Sequence, residues 1–373
     1  MKTILLITSE FPPQPGGIGN HAYHLAQQLS LHYKVKVLAD QRSQDGVEEK
    51  EFDQLQKFSS HRVQRYPFIL WTYLLRLVSA FQSAKQSDLI LVSGKFSLWT
   101  GGLLSLFYSK PYVAIIHGSE VQLSNSLARG FTNWSLQRFD HVIGVSNFTL
   151  NLVSHLNLKQ KSVIPNGFDL SQLNEMLKKP EYKEKTKSDS LNLITVGNLT
   201  QRKGQHNVLK ALPLLIKTYP NLIYHIVGLP TDQERLENLA SKLEIEEHIR
   251  YHGRLAEEEK IKLLLASDVF MMLSEQTVSG DVEGFGIAIL EANALGLPAV
   301  GSLNCGIEDA IKADYSGQLV DPHDPQAILE AVDKITSQQE TYAKHAKQWS
   351  TKFTWDKIGK QYVEILEEFF KRI

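Results

Sequence analysis

The chain has 373 residues, 42% hydrophobic and 22% charged, the balance of an ordinary globular protein with length enough for two cores. A net charge of −1 excludes a global pull toward nucleic acid, and a single cysteine, Cys305, excludes an internal disulfide framework and fits a reducing, cytoplasmic compartment. The apolar run at the N-terminus is too short for a signal peptide, and no run reaches the ~20 residues of a membrane-spanning helix.

Short apolar runs alternate with longer helical patterns, which is the signature of parallel βαβ units. Strands are predicted over 3–8, 34–39, 89–93, 112–116, 141–145 and 162–164. After a break they resume over 192–196, 222–227, 249–252, 269–273 and 299–301. The break, 171–190, is charged and poor in large apolar groups, so it reads as a linker between domains 1–170 and 191–355. Residues 356–373 read as a last helix. A weak internal echo, Asp140-His-Val-Ile-Gly-Val-Ser146 and Asp268-Val-Phe-Met-Met-Leu-Ser274, supports two similar halves.

Small or polar residues follow strand after strand at the carboxyl end, where open parallel sheets bind ligands. The first such loop, Glu10-Phe-Pro-Pro-Gln-Pro-Gly16-Gly17-Ile-Gly19, runs into a helix near 21–30. Its glycines suit either an anion at a helix N-terminus or a tight turn with no ligand. The dinucleotide Gly-x-Gly-x-x-Gly spacing is absent, because Ala22 stands at its third position, which disfavours a Rossmann dehydrogenase. Residues 66–81 form an apolar, aromatic helix preceded by Lys57, Arg62 and Arg65; it either packs into its own domain or leans on a membrane. His117-Gly118-Ser119-Glu120 follows a central strand, where a histidine can donate to a sugar hydroxyl or a leaving oxygen.

In the second half, Gly197-Asn198-Leu-Thr-Gln-Arg202-Lys203-Gly204 places adjacent cations on a Gly-flanked turn, a good diphosphate clamp. Glu283-Gly284-Phe285-Gly286-Ile287-Ala-Ile-Leu-Glu291 brackets a Gly-rich turn and the first turns of an apolar helix that ends at Gly296, before Pro298. A glutamate in such a helix is expected to be buried and to need a partner. No neighbouring Lys or Arg in sequence supplies one, and a ligand's hydroxyls are an alternative. Asp281 and Glu283 lack further metal ligands, and His21 and His24 lack a third, so no metal is expected.

Taken in this order, the motifs resemble the retaining glycosyltransferases of the GT-B fold, in the large group called family four. The likeness runs from the Phe-Pro-Pro…Gly-Gly-Ile loop through His-Gly-Ser-Glu, Pro165-Asn-Gly-Phe-Asp169, Arg-Lys-Gly and Glu-x(7)-Glu to Phe353-Thr-Trp-Asp356. It implies two Rossmann-like domains facing across a cleft, with the last helix crossing back to the N-terminal, acceptor-side domain. It implies a nucleotide-sugar donor as co-substrate, no cofactor, a glycan or lipid-linked acceptor, and membrane contact through the N-terminal domain at the inner face of the membrane. By resemblance, Gly16 and Gly17 approach the diphosphate, with Gly197, Asn198, Arg202 and Lys203 opposite. Glu291 takes the ribose; Glu283 and the backbone of Gly284, Phe285, Gly286 and Ile287 take the sugar and phosphate. His117 touches the sugar, and Arg254 and Leu255 meet the base. Asn198 stands where many relatives have Arg. The motif wording is nearest to bacterial phosphatidylinositol and polyprenyl mannosyltransferases, which tilts the donor toward GDP-mannose, with a UDP-hexose next. Two rivals stand beside this reading: a sugar-nucleotide epimerase on the same fold, and a non-catalytic partner.

Overall fold

The computed structural model describes residues 1–14, 16–178, 190–278 and 280–371, and the chain in it forms two units, Met1–Gly167 with Trp355–Ile373, and Phe168–Thr354. Near-continuous apolar runs fold as strands buried on both faces, as parallel sheets covered by helices require. The first unit contains β1 (Thr3–Thr8), β2 (Lys34–Gln41), β3 (Ser59–Gln64), β4 (Leu89–Ser93), β5 (Tyr112–Ile116), β6 (His141–Gly144) and β7 (Lys161–Val163). They form one sheet in the order β3-β2-β1-β4-β5-β6-β7, every pair parallel. The second unit contains β8 (Asn192–Val196), β9 (Ile223–Val227), β10 (Ile249–Gly253), β11 (Val269–Met272), β12 (Ala299–Ser302) and β13 (Gly317–Val320). Their order is β10-β9-β8-β11-β12-β13, again all parallel. Both sheets are doubly wound, and strand order reverses beside β1 and beside β8, the switch points at whose carboxyl edge open parallel sheets bind ligands.

Every predicted strand is present, with ends shifted by no more than two residues. Two strands lie outside the prediction, and both are edges. β3, Ser-Ser-His-Arg-Val-Gln, buries only Val63, and β13 is four residues long. Where a linker is predicted over 171–190, the helix Leu170–Leu177 occupies the beginning. Asp169 caps it, accepting from the Ser171 N–H at 2.8 Å, and Leu173 and Met176 are buried. The rest of that segment, 179–189, lies outside the described residues.

The aspartates of the internal echo have a shared physical role. Asp140 accepts from the N–H of Tyr112, at the start of β5, at 2.9 Å, and its own N–H returns to the Tyr112 carbonyl at 2.9 Å. Asp268 makes the same clasp on Asn192, at the start of β8, at 2.9 and 2.8 Å. Asp88 makes it on Thr3, at 2.7 and 2.8 Å. Each clasp satisfies a strand's first donor and fixes the register of a parallel pair.

The last helix, Trp355–Phe370, packs within the first unit on the helix Gly17–Leu29. The ring of His21 lies 5.2 Å from Trp355 and 5.9 Å from Tyr362, and His24 stacks on Trp355 at 5.3 Å. The helix Ile69–Lys85 buries Ala80 and Ala84 in the same unit's core but leaves Leu70, Trp71, Leu74 and Val78 exposed. Among the described residues no helix is long and apolar enough to cross a membrane.

Candidate active site

β8 ends at Val196, just before Gly197, and a single turn, Gln201–Lys203, leads into the helix Gln205–Thr218. Gly204 joins turn to helix in the left-handed region, at φ 73°, where a Cβ would collide with the Leu273 carbonyl at the end of β11. This close approach sets the turn against β11, and Glu275 braces it. That carboxylate accepts from Gln201 Nε2 at 3.0 Å and Asn207 Nδ2 at 3.1 Å, and the Glu275 N–H donates to the Arg202 carbonyl at 3.3 Å.

From this turn, Arg202 and Lys203 reach the same oxygen. Lys203 Nζ lies 2.9 Å from Glu283 Oε2, and Arg202 Nη1 donates to that oxygen too. Arg202 Nε is 3.2 Å from Asp281. Glu283 is 8% exposed. Burial pushes its carboxyl up, but Lys203 and Arg202 together outweigh burial and hold it below the ordinary carboxylate range. Glu283 is therefore an anion neutralising two cations in a nearly dry site. An incoming polyanion meets two cations that share the Glu283 carboxylate, with Asp281 as a further partner of Arg202.

Past Glu283, the Gly306 N–H donates to the Glu283 carbonyl at 2.9 Å and draws the chain round. Gly286, at φ 93°, opens the helix Ile287–Ala294, and no described side chain caps that end. Its first N–H groups suit a phosphate or a hydroxyl. Phe285 is buried against Phe353, so it offers this site only its backbone. Gly296, at φ 83°, ends the helix before Pro298, as the sequence predicts.

Glu291 departs from expectation. Its side chain is 40% exposed, and it has a protein partner, Lys260 Nζ at 3.7 Å. Lys260 stands on the helix Glu257–Ala266, which follows β10 and the exposed Arg254 with half-buried Leu255. Crowding by its surroundings pushes the Glu291 carboxyl up, while Lys260 and, further off, Lys203 pull it down. The clamp and Glu291 thus share one electrostatic neighbourhood. Asn198 is exposed, and its carbonyl accepts from Gln205 Nε2 at 3.2 Å.

The remaining predicted residues belong to the first unit. Gly16 precedes the helix Gly17–Leu29, and a Cβ there would run into the Glu10 carboxylate; Gly17 is exposed with open space around it. Pro15, in the same loop, lies outside the described residues. His117 follows β5, with Nε2 2.9 Å from Ser93 Oγ at the end of β4. Burial pushes the imidazole down to about 4, so at pH 7 it is neutral and acts as a hydrogen-bonding group. Sequence reasoning misses Ser93, Glu275 and Lys260. Ser93 and Glu275 carry a legible signal, a polar residue at the end of a buried strand or just past it, whereas Lys260 reaches Glu291 only through the tertiary fold. Among the described residues, no three His, Cys, Asp or Glu side chains converge as metal ligands.

Two family models match the chain in tandem: Glycosyltransferase Family 4 over residues 15–172 and Glycosyl transferases group 1 over residues 178–352. A GDP-mannose-dependent alpha-(1-6)-phosphatidylinositol monomannoside mannosyltransferase of Mycolicibacterium smegmatis is 28% identical over 350 residues, covering 89% of this chain and 88% of that protein. Among solved structures, sucrose-phosphate synthase from Thermosynechococcus elongatus is similar with a TM-score of 0.79 at 19% identity, over 100% of both chains. Anabaena HepE in complex with UDP and glucose is similar with a TM-score of 0.78 at 20% identity, over 99% of this chain and 100% of that one. The structural likenesses carry the fold, and the tandem match accounts for both units in chain order. This chain belongs to the GT-B glycosyltransferases of the family-four group, related to the phosphatidylinositol mannosyltransferases.

Proposed function

We propose that this glycosyltransferase moves a hexose from a nucleotide diphosphate onto a glycan or lipid-linked acceptor in cell-envelope or exopolysaccharide synthesis, with retention and without a metal. The observation that carries this reading is the convergence of Arg202 and Lys203 on Glu283, on a turn fixed by Gly204 and Glu275. A preorganised pair of cations supplies the charge that a leaving diphosphate needs. When the donor binds, both cations turn to diphosphate oxygens, and Glu283 is freed to hold the sugar's hydroxyls. Glu291 and Lys260 bracket the ribose, and the backbone of 284–287 takes a phosphate oxygen. In the transfer, the bond from the anomeric carbon to the β-phosphate oxygen breaks, and the acceptor oxygen bonds to that carbon on the same face. The acceptor's proton passes to the leaving phosphate. Glu283 is a positioning residue here, since the leaving phosphate takes the acceptor's proton on the same face and no enzyme nucleophile is required.

The GDP-mannose dependence of the Mycolicibacterium relative favours GDP-mannose as donor, with a UDP-hexose next. The exposed row Leu70, Trp71, Leu74 and Val78 supports a membrane-surface contact through the first unit, as a lipid-linked acceptor requires.

Slow donor hydrolysis, followed by proton NMR with GDP-mannose and UDP-glucose and no acceptor, tests the chemistry. The α-hexose is expected to appear first and then mutarotate. The β-anomer appearing first would contradict retention, and conversion of the donor into another sugar nucleotide would favour the epimerase.

A further inference from the structure

Glu120 is a deeply buried acid of the first unit that the transfer reaction above leaves unused. It is 3% exposed, three residues past His117. One carboxyl oxygen, Oε1, accepts from the His117 N–H. The other, Oε2, is buried with no hydrogen-bond partner. Between the two residues, Gly118 adopts φ 123°, and the Val121 N–H closes the turn onto the Gly118 carbonyl at 3.1 Å. The carboxyl thus sits inside the bend that carries His117, and His117 in turn reaches Ser93. A buried acid with one bonded and one orphaned oxygen is costly as an anion. As a neutral acid it loses that cost and keeps the bonded oxygen as an acceptor.

We propose that Glu120 is the positioning residue of His117: its carboxyl pins the His117–Gly118 turn from inside, and loss of the proton at that carboxyl loosens the turn. This rests on the reading of His117 as the residue that touches the donor sugar. Burial raises the carboxyl to about 7, against the pull of the N–H groups of His117, Glu120 and Gly118, and nearby Glu10 raises it further. The other titratable ring packed on His117 is His21, at 4.9 Å, which burial holds far below its ordinary value and so neutral. Glu10, His117 and His21 are therefore the groups that share this titration.

The sign follows from linkage. The native carboxyl keeps its proton to about pH 7, whereas the unfolded chain releases it near the ordinary value of 4.5. Stability from this group is therefore full below pH 4.5 and is lost as pH rises toward 7. A glutamine is the isostere of the neutral acid, so Glu120→Gln removes this term and retains the brace.

The experiment uses the full chain, labelled with nitrogen-15 at histidine, and needs no substrate. In the wild type the His117 amide is expected to shift with a midpoint near pH 7, and the thermal midpoint to fall more steeply between pH 4.5 and 7 than in Glu120→Gln. Glu120→Gln is expected to lose the amide step and keep the imidazole signature of the neutral acid. Glu120→Ala is expected to lose that signature while His248, in the second unit, is unmoved. An amide step that survives in Glu120→Gln overturns the proposal. So does an unmoved imidazole in Glu120→Ala. If Glu120→Ala does not fold, the Gln comparison alone decides. Donor turnover plays no part in these readouts, so a failed donor assignment leaves this test intact.

Discussion

At the scale of single residues, the site is a set of charges whose partners are already present. Glu283 holds both clamp cations, and Lys260 holds Glu291. On the function proposed above, donor binding is an exchange of partners, and the energy at stake is the difference between a carboxylate and a diphosphate in the same nearly dry place. Removing Lys203 is expected to lower kcat by roughly 10²–10³, the scale of one lost transition-state donor. Steady-state kinetics on Lys203→Ala, with its folding checked by circular dichroism, reads this, and turnover within twofold of wild type would sink the clamp. The acids and cations were legible as residue types placed after strands. Their pairing was not, because Lys260 is thirty-one positions from Glu291 and only the packing of two helices brings them together. The same packing explains the misjudged burial of Glu291. Its helix is apolar nearly all round, but it starts at the carboxyl edge of the sheet, where one face stays open.

At the scale of elements, the sequence signal was strongest where burial is two-sided. Central strands such as Leu89–Ser93 and Tyr112–Ile116 are buried throughout and read directly as apolar runs. The edge strand Ser59–Gln64 has one neighbour and a mostly polar composition, so alternation is lost and nothing in the chain announces it. The aspartate clasps were visible as an echo of residues, but their meaning, a donor satisfied at the start of the adjacent strand, needed the register. The helix Ile69–Lys85 packs into its own unit through Ala80 and Ala84, as one of its two predicted fates requires, and leaves Leu70, Trp71, Leu74 and Val78 facing out. If that outer row docks on lipid, the protein should float with vesicles of phosphatidylglycerol and phosphatidylcholine. Replacing Leu70, Trp71 and Leu74 by serine should abolish flotation, since ~1.5–3 kcal/mol lost for each large apolar side chain lowers the partition by roughly a thousandfold or more. Wild-type protein left at the bottom of the gradient would rule the contact out.

At the scale of the whole molecule, a near-neutral charge and two doubly wound sheets place all specificity in the loops at the carboxyl edges. Fold and family were legible because the motifs come in a fixed order along most of the chain. Donor identity was not, because the motifs name no side chain that distinguishes one base or sugar from another, and Lys260 comes to Glu291 only through the tertiary fold. The central claim is that the second unit binds a nucleoside diphosphate through Arg202 and Lys203. Thermal unfolding of the wild type and of Lys203→Ala with GDP, UDP or ADP tests it most directly. At about a hundredfold excess over Kd a bound nucleotide adds ~2.7 kcal/mol, or roughly 5–10 °C for a unit of this size. The account predicts such a rise for the wild type with GDP, or with UDP, and little or none for Lys203→Ala. No rise with any of the three, or an equal rise in the variant, would contradict it.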